Sequence, residues 1–483
     1  MAADPQGHEG RAMVGRRYQQ RTIYEGIYRT LIPDQKQLLW ERWLVQIDTL
    51  LDDDPLLDLV EEALGQRCPQ SRTRGRKGTP AEVVLRLLTL KHLQGWSYAT
   101  LEREVRANLI YRDFTRIGGE AVPDAKTMVR LGQVLGPAVV RQIHERVVAL
   151  ARAERVVTGR KMRIDTTVVE TNIHYPTDSS LLGDAARVLT RTMQQIQAAV
   201  GSAGTPVRNW LRSIGHRLIE IGRATRSRGE AAGAQQKEAY KQLMAATRRV
   251  VRQAGVVIDE VRQGIKRANT ALGQVVVEGL AKHLEEVSVL THRVLAQTQA
   301  RVFEGNTHFQ DKLLSLFETA TEAIRKGKAA KPTEFGKLVK IQETEHQVVT
   351  DYAVCPQRPA DQDLLLPAIE KHKALFDRAP ELVAADAGFF SAANEAQAKA
   401  AGVAKVAIPN KQTRSPARWA FQRARWFKRA QRWRVGAEGR ISVLKRRHRL
   451  SRCRYHGVAG MERWVGLGVI ANNLLAIARA TAK

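Results

Sequence analysis

The sequence predicts an α/β protein that is preceded by a helical domain and interrupted by a long helical insertion. Alternation of polar with apolar, often β-branched, residues indicates a strand near residues 160–175, and similar alternation returns after Pro332. The chain between these strands is rich in Ala, Arg, Gln and Glu and has no Pro between Pro206 and Pro332, which is typical of long helices. Such a block is too long for a loop and must fold by itself.

The elements after the insertion follow an α/β order. Residues 335–344 and 347–354 are predicted to pair as a hairpin, and further strands are predicted within 381–390 and 404–410. A helix is predicted between these last two strands, and an apolar helix closes the chain. The predicted domains are an N-terminal flexible arm (1–20), a helical domain (21–155), an α/β domain (156–180 with 332–483) and a helical insertion (181–331).

The N-terminal domain carries the spacing of packed helices. Within residues 81–117 the apolar pattern breaks near Gly95, and Ser97 is placed to cap a second helix. Paired basic helices can place a recognition helix in the major groove of DNA. From spacing alone, such a DNA-binding module and a plain packing or dimerisation bundle are equal alternatives.

Charge and composition restrict the function classes. The net charge is +29 and the pI about 10.4, so the protein repels itself unless a polyanion, most often nucleic acid, compensates. No run is expected to approach the roughly 18 to 20 apolar residues of a spanning helix, and the N-terminus has no apolar signal core. The three cysteines form no CxxC pair, which argues against a zinc ribbon. We therefore expect a cytoplasmic protein, associated with the nucleoid, with no membrane partner.

Three acidic residues lie in apolar or strongly basic surroundings, where a carboxylate is unfavourable unless it binds a partner. Asp165 lies inside the first predicted strand, and Asp386 follows the apolar run 382–385. Glu438 is the only acid between Glu395 and Glu462, in a basic helix. Buried carboxylates are costly unless they are paired or bind a metal. Converging carboxylates beside a polyanion suggest Mg²⁺, a hard ion that binds carboxylate and phosphate oxygens.

Each acid also has a structural alternative. Asp165 could accept hydrogen bonds from neighbouring backbone groups, and Asp386 could cap the helix that begins near Ser391. Glu438 could pair with Arg434 one turn earlier in the same helix. Taken singly, these alternatives are the more common reading of such residues, and only the combination of three acids in this order favours a site.

Four segments together resemble the bacterial insertion-sequence transposases of the DDE type, most closely the ISNCY group, over roughly residues 20 to 480. They are IDTTVVETNIHYPTDSSLLGD, KPTEFGKLVKIQETE, AADAGFF and WRVGAEGRISVLKRRHRL. In the last segment Arg434, Glu438 and Lys445 match the R-(3)-E-(6)-K signature of related families, although Gln431 replaces the Tyr that often precedes it. The N-terminal segments QGWSYATLEREV and VPDAKTMVRL resemble the helical module of the same family.

The resemblance implies a ribonuclease-H-like catalytic domain in which Asp165, Asp386 and Glu438 hold Mg²⁺, with Mn²⁺ as the alternative. It implies binding to double-stranded DNA, both the inverted-repeat ends of the element and the target, by a homodimer. At about 100° per residue, Arg434, Glu438 and Lys445 share one helix face, so the Glu can reach a metal while both cations touch phosphates. The residues expected to contact DNA are Arg434, Lys445, Arg440, Arg446, Arg447, Arg74 and Arg76.

Two rival functions stay open at this stage. One is a DNA-binding protein derived from a transposase whose catalytic domain is inactive. The other is a metal-dependent nuclease of the same fold that only hydrolyses DNA. The expected activity is Mg²⁺-dependent cleavage at the element's ends followed by strand transfer, in which two metal ions assist in-line attack on a phosphodiester.

Overall fold

The N-terminal helices belong to the same structural unit as the sheet. The computed structural model describes residues 15–18, 21–31, 40–67, 78–227, 229–325 and 331–482. The chain divides into two units, one of Met1–Asn172 with Ile324–Lys483 and the other of Ile173–Ala323. The helical N-terminal region and the mixed α/β class that the sequence predicts are both confirmed.

The N-terminal helices begin and end at the residues that carry the corresponding signals. Gly95, at φ +67°, ends one helix in the left-handed conformation. The hydroxyl of Ser97 caps the next helix by accepting a hydrogen bond from the N–H of Thr100 at 3.0 Å. The helices are α1 (Ile23–Leu31), α2 (Arg42–Leu51), α3 (Asp54–Gln66), α4 (Ala81–Gln94), α5 (Tyr98–Ala107), α6 (Leu109–Phe114), α7 (Ala125–Val134) and α8 (Pro137–Ala153).

One mixed sheet runs through the first unit. Its strands are β1 (Lys161–Glu170), β2 (Glu322–Arg325), β3 (Thr333–Glu343), β4 (Val349–Val354), β5 (Leu382–Ala384) and β6 (Lys405–Ala407). The strand order is β2-β3-β1-β5-β6, and β4 also pairs with β3. Strand β1 is antiparallel to β3 and parallel to β5, and β5 is parallel to β6. The predicted hairpin is present as β3 and β4, but β2 falls in a range that the sequence analysis assigned to helices.

The second unit is helical. Its helices are α9 (Asp178–Val200), α10 (Leu211–Ala224), α11 (Glu230–Arg262) and α12 (Ala271–Val302). Thr177 caps α9 in a capping box with Ser180. Apolar residues of all four helices form one core, in which Leu189, Ile221, Leu243 and Leu284 are buried. The helices that the sequence predicts after the first strand are therefore present.

The remaining helices of the first unit cover the sheet and join it to the N-terminal helices. They are α13 (Leu365–Phe376), α14 (Ala392–Ala400), α15 (Pro416–Arg423), α16 (Arg425–Arg446) and α17 (Gly457–Thr481). Apolar residues of α17 such as Leu474 belong to the core of the N-terminal helices, whereas Val465 and Val469 pack with Val339 of the sheet. Helix α17 therefore lies between the two, which explains why it is apolar on all sides.

Helix α17 also corrects one expectation. In the described residues it is long and apolar enough to cross a membrane by length and composition, with a mean hydropathy of 1.2 over 18 residues. The expectation that no run would approach this length is wrong. Because 78% of that window is buried inside the protein, α17 has the surroundings of a core helix.

Candidate active site

Asp165 lies in the middle of β1, on the strand face that packs against α16. Alternate residues of a strand share a face, and Arg163, two residues earlier, reaches α16 by donating a hydrogen bond to the carbonyl of Trp433. The guanidinium of Arg163 also lies 4.8 Å from the centroid of the Trp433 ring. The carboxylate of Asp165 accepts from the N–H of Thr166 at 2.7 Å, so the local backbone contact considered for it is made.

Asp386 lies just beyond β5, the parallel neighbour of β1. The paired residues run as far as Arg163 of β1 and Ala384 of β5, and Asp165 and Asp386 each follow two residues later. Because neighbouring strands lie about 4.8 Å apart, we infer that these two acids are neighbours. The Asp386 carboxylate accepts from the N–H of Gly388 at 2.9 Å and caps the short 3₁₀ turn Ala387–Phe389. It does not cap α14, whose cap is Ser391.

Glu438 lies on α16, and a glycine brings this helix close to β1. A Cβ atom at Gly436 would collide with the guanidinium of Arg163, so that a larger residue would force the Arg163 side chain to move. Nothing lies within 4 Å of a Cβ built at Gly439, and no close approach explains that second glycine. The side chain of Glu438 is 58% exposed, which leaves it accessible to solvent and ligands.

The guanidinium of Arg434 stands between two of the acids. Its Nη2 donates to Oε1 of Glu438 at 2.7 Å, and its Nη1 lies 3.8 Å from Oδ2 of Asp165. The pairing of Arg434 with Glu438 that the sequence offered as an alternative is therefore present. One cation thus contacts carboxylates from β1 and α16, which places these acids around a common point.

Gln431 fastens α16 to the carboxyl ends of β5 and β6. Its Nε2 donates to the carbonyl of Ala385 at 3.2 Å and to that of Ala407 at 2.5 Å. Ala385 immediately precedes Asp386. The residue at the position of the family's Tyr therefore fixes the helix that carries Glu438 against the strand end that carries Asp386.

A fourth acid, Asp361, is missing from the sequence-based prediction. The hydroxyl of Thr166 donates to its Oδ1 at 2.9 Å. A Cβ built on Gly388 would lie 3.0 Å from Oδ2 of Asp361 and 3.2 Å from Oδ1 of Asp386, so both carboxylates flank the same glycine. Asp361 starts a 3₁₀ turn between β4 and α13, where no periodic pattern marks it. Only its tertiary contacts place it beside the other acids.

The basic residues of α16 fall into two groups. Arg446 and Arg447 are exposed, and the ammonium of Lys445 lies 3.8 Å from Oε1 of Glu334 with 20% of its side chain exposed. Arg440 differs because it is buried. Its guanidinium donates hydrogen bonds to Oδ1 of Asn472 at 2.8 Å and to Gln347. Burial lowers the pKa of Arg440, with Glu343 opposing that shift.

These positions bear on the expected DNA contacts. Arg440 is buried and hydrogen-bonded to Asn472 and Gln347, and its expected contact with DNA stays a prediction. Arg74 and Arg76 lie outside the described residues.

Two family models match the chain. The model described as a transposase domain (DUF772) matches residues 31–133, and the model described as a transposase DDE domain matches residues 395–478. Both matches support an insertion-sequence DDE transposase. No curated protein and no solved structure matches it.

The two matches cover different parts of the chain. The first lies on the N-terminal helices from α2 to α7, and the second runs from α14 into α17. Glu438, Arg434 and Lys445 fall within the second match, whereas Asp165 and Asp386 lie outside both. The position of these two acids near α16 is therefore known from the structure and not from the family matches.

The carboxylates of the candidate active site suit a hard divalent cation in donor type. Asp165, Asp361, Asp386 and Glu438 offer only oxygen donors, which Mg²⁺ and Mn²⁺ accept. A cationic group, the guanidinium of Arg434, already stands between two of them. As the side chains stand, no three His, Cys, Asp or Glu residues in the described part of the chain form a group that could hold a metal ion. A metal ion held by three of these carboxylates would therefore require their side chains to move.

Proposed function

We propose that this transposase binds the terminal inverted repeats of its element and catalyses Mg²⁺-dependent DNA cleavage and strand transfer. Asp165, Asp386 and Glu438 are the proposed metal ligands. The observation that carries the proposal is that Arg434 of α16 contacts Asp165 of β1 as well as Glu438 of its own helix. Asp386 follows β5, the strand that pairs in parallel with β1.

The sheet supports the proposal of a ribonuclease-H-like domain. Strands β4, β3 and β1 are antiparallel neighbours, and β5 and β6 continue the sheet in parallel with β1. Acids stand on β1 and directly after β5, where the carboxyl ends of parallel strands usually present ligand-binding groups. The four sequence segments occur in the order expected of the ISNCY group.

The proposed roles follow from where each side chain lies. Asp165, Asp386 and Glu438 would hold Mg²⁺, which when bound supplies an activated water and stabilises the leaving 3′ oxygen. Arg434 keeps Asp165 and Glu438 paired with a positive charge while DNA is absent, and on binding its guanidinium turns to a phosphate. Gln431 and Gly436 hold α16 against β5 and β1, so Glu438 stays close to the two strand acids.

DNA is the proposed macromolecular partner. A net charge of +29 favours a polyanion, and the exposed Arg446 and Arg447 extend the basic surface of α16 beyond Lys445. Joining two ends of one element requires two copies of the active site, so we propose a homodimer on DNA. The domains proposed from the sequence assign end binding to the helices of residues 21–155.

A strand-transfer assay tests the proposal. Labelled duplexes from the DNA that flanks the coding sequence, ending in a 3′-OH at the terminal repeat, are incubated with the protein, Mg²⁺ and a target plasmid. Joined products are expected from the wild type and from Glu370→Gln, a control at an exposed acid of α13. Asp165→Asn, Asp386→Asn and Glu438→Gln are expected to give none.

The rival functions predict different products in the same assay. Cleavage without joining identifies a hydrolytic nuclease, and binding without any chemistry identifies an inactive derivative that only binds DNA. Either result overturns the proposed strand transfer. Wild-type joining in any of the three acid variants overturns the assignment of that acid.

A further inference from the structure

A pocket in the first unit lies between the N-terminal helices and the segment that joins α16 to α17. It encloses about 600 Å³, which is within the range of small-molecule sites. Four aromatic side chains line it: Trp96, Tyr98, Tyr455 and Trp464. None of the acids of the candidate active site lines this pocket, so it is a separate feature of the molecule.

A buried lysine lies in the pocket wall with aromatic rings around its charge. Lys91 is 3% exposed, and its ammonium lies 4.7 Å from the ring centroid of Tyr98, 5.1 Å from that of Tyr455 and 4.9 Å from that of Trp464. Cation–π contacts of this kind offset only part of the cost of burying a charge. The pocket lining among the described residues includes no Asp or Glu, so the ammonium has no anionic partner there.

Three arginines add to the positive charge of the pocket. Arg463 is fixed by a hydrogen bond from its Nη1 to the carbonyl of Gly132 at 2.7 Å. Arg449 packs over Gly95, where a Cβ would come within 3.0 Å of the Arg449 side chain, and Arg454 is exposed at the opening. Burial, and next the charge of Arg454, lower the pKa of Lys91 to about 7. The three arginines thus bring positive charge to a pocket whose described lining contains no acid.

The described lining of the pocket, with aromatic rings and cations but no acid, suits a ligand that is both planar and anionic. Aromatic side chains stack on planar bases, and Arg and Lys bind phosphate oxygens. We propose that this pocket binds a nucleotide, with its phosphate on Lys91 and the arginines and its base against the aromatic rings. The nucleotide comes either from solution or from an unpaired strand of DNA, and the two sources share this chemistry.

Fluorescence titration without divalent metal tests the proposal, because Trp96 and Trp464 report directly on the pocket. Thymidine 5′-monophosphate is expected to quench the fluorescence, and thymidine at the same concentrations is not. Lys91→Met, which keeps an unbranched side chain in the aromatic cage, is expected to weaken binding at least tenfold. Lys282→Met is the matched control, since it removes the same charge from an exposed site in the second unit.

Two further readouts make the test independent of folding and of the active site. Arg454→Gln, at the exposed opening, is expected to weaken binding several-fold even where Lys91→Met fails to fold. Asp386→Asn is expected to bind thymidine 5′-monophosphate as the wild type does, so loss of the proposed catalysis leaves this result unchanged. Wild-type binding should weaken as the pH rises from about 7 to 9, because Lys91 loses its proton while the phosphate keeps its charge.

Competition identifies the source of the nucleotide. Single-stranded 5′-phosphorylated pentathymidylate that displaces the mononucleotide, where a blunt duplex does not, supports an unpaired DNA strand. Displacement by neither, with mononucleotide binding intact, supports a free nucleotide. The proposal is overturned if thymidine binds as well as its monophosphate, or if Lys91→Met and Arg454→Gln, both folded, bind the monophosphate like the wild type.

Discussion

Helix α16 and strand β1 hold two clusters of charged side chains whose surroundings differ. In the closed cluster, Arg163, Glu343 and Arg440 have side chains no more than 9% exposed, and Arg163 pairs directly with Glu343. In the open cluster, Arg434 lies between Asp165 and Glu438, and Glu438 is 58% exposed. Both combine carboxylates with guanidinium groups. The closed cluster holds the helix to the sheet, whereas the open one exposes Glu438 to solvent while Arg434 and Asp165 are each 13% exposed.

Removing one charged partner should destabilise the protein more in the closed cluster than in the open one. A buried ion pair that loses one partner leaves an uncompensated charge in a medium that solvates it poorly. An exposed pair is screened by water and contributes little to stability. We therefore expect changes in the closed cluster to affect folding and changes in the open cluster to affect chemistry.

The largest expected effect is on activity in the open cluster. Asp165→Asn is expected to reduce strand transfer by more than about a hundredfold, beyond the usual effect of groups that only orient metal ligands. Its free energy of unfolding should stay close to that of the wild type, because Asn still accepts a hydrogen bond from the N–H of Thr166. Strand-transfer yield and chemical denaturation are measured on the same preparation. A parallel loss of stability and activity would contradict the division between the clusters.

The next effect is on stability in the closed cluster. Glu343→Gln removes the carboxylate beside Arg163 and Arg440, and the free energy of unfolding is expected to fall by about 3–5 kcal/mol. Burial raises the pKa of Glu343 although Arg163 opposes the shift, which agrees with a group that is costly to keep charged. Denaturation of Glu343→Gln is compared with that of Glu370→Gln at the exposed control site. Equal stability of the two variants would show that the closed cluster is not needed to hold the fold.

The sequence predicted the partners in the open cluster better than those in the closed one, because the open cluster contains a pair on one helix. Arg434 and Glu438 lie one helical turn apart, so periodicity alone places them together. Arg440 lies about 240° around the helix from Arg434, on the side that faces the protein, yet a basic run gives no sign of which side is buried. Glu343 becomes a partner of Arg163 only through the pairing of β1 with β3.

The fold was predicted where patterns are long and missed where elements are short. The N-terminal helices and the hairpin of β3 and β4 carry sustained periodicity, whereas β2 has four residues and little alternation. The adjacency of Asp165 and Asp386 depends on strand register, which no local pattern specifies. Asp361 joins them through a hydrogen bond from a residue 195 positions away.

Asp361 extends the open cluster by a residue that the sequence did not mark. Asp361→Asn keeps an acceptor for the hydroxyl of Thr166 but removes a negative charge beside Asp386. We expect strand transfer to fall about ten- to a hundredfold, the usual range for groups that orient metal ligands, with little change in stability. Asp377→Asn is the matched control, because Asp377 is exposed and pairs with Arg152 at the surface. Activity equal to that control would remove Asp361 from the site.

The smallest effect separates the two groups of cations on α16. Lys445→Gln and Arg440→Gln remove the same charge from one helix, but Lys445 is partly exposed near Glu334 and Arg440 is buried against Asn472. If Lys445 contacts a phosphate, its loss should reduce the slope of log affinity against log salt by about 0.9. Arg440→Gln should leave that slope unchanged while lowering the free energy of unfolding. Equal slopes for Lys445→Gln and the wild type would remove Lys445 from the DNA contacts. A reduced slope for a folded Arg440→Gln would show that burial in the free protein does not keep this arginine from DNA, and the closed cluster would then have to open on binding.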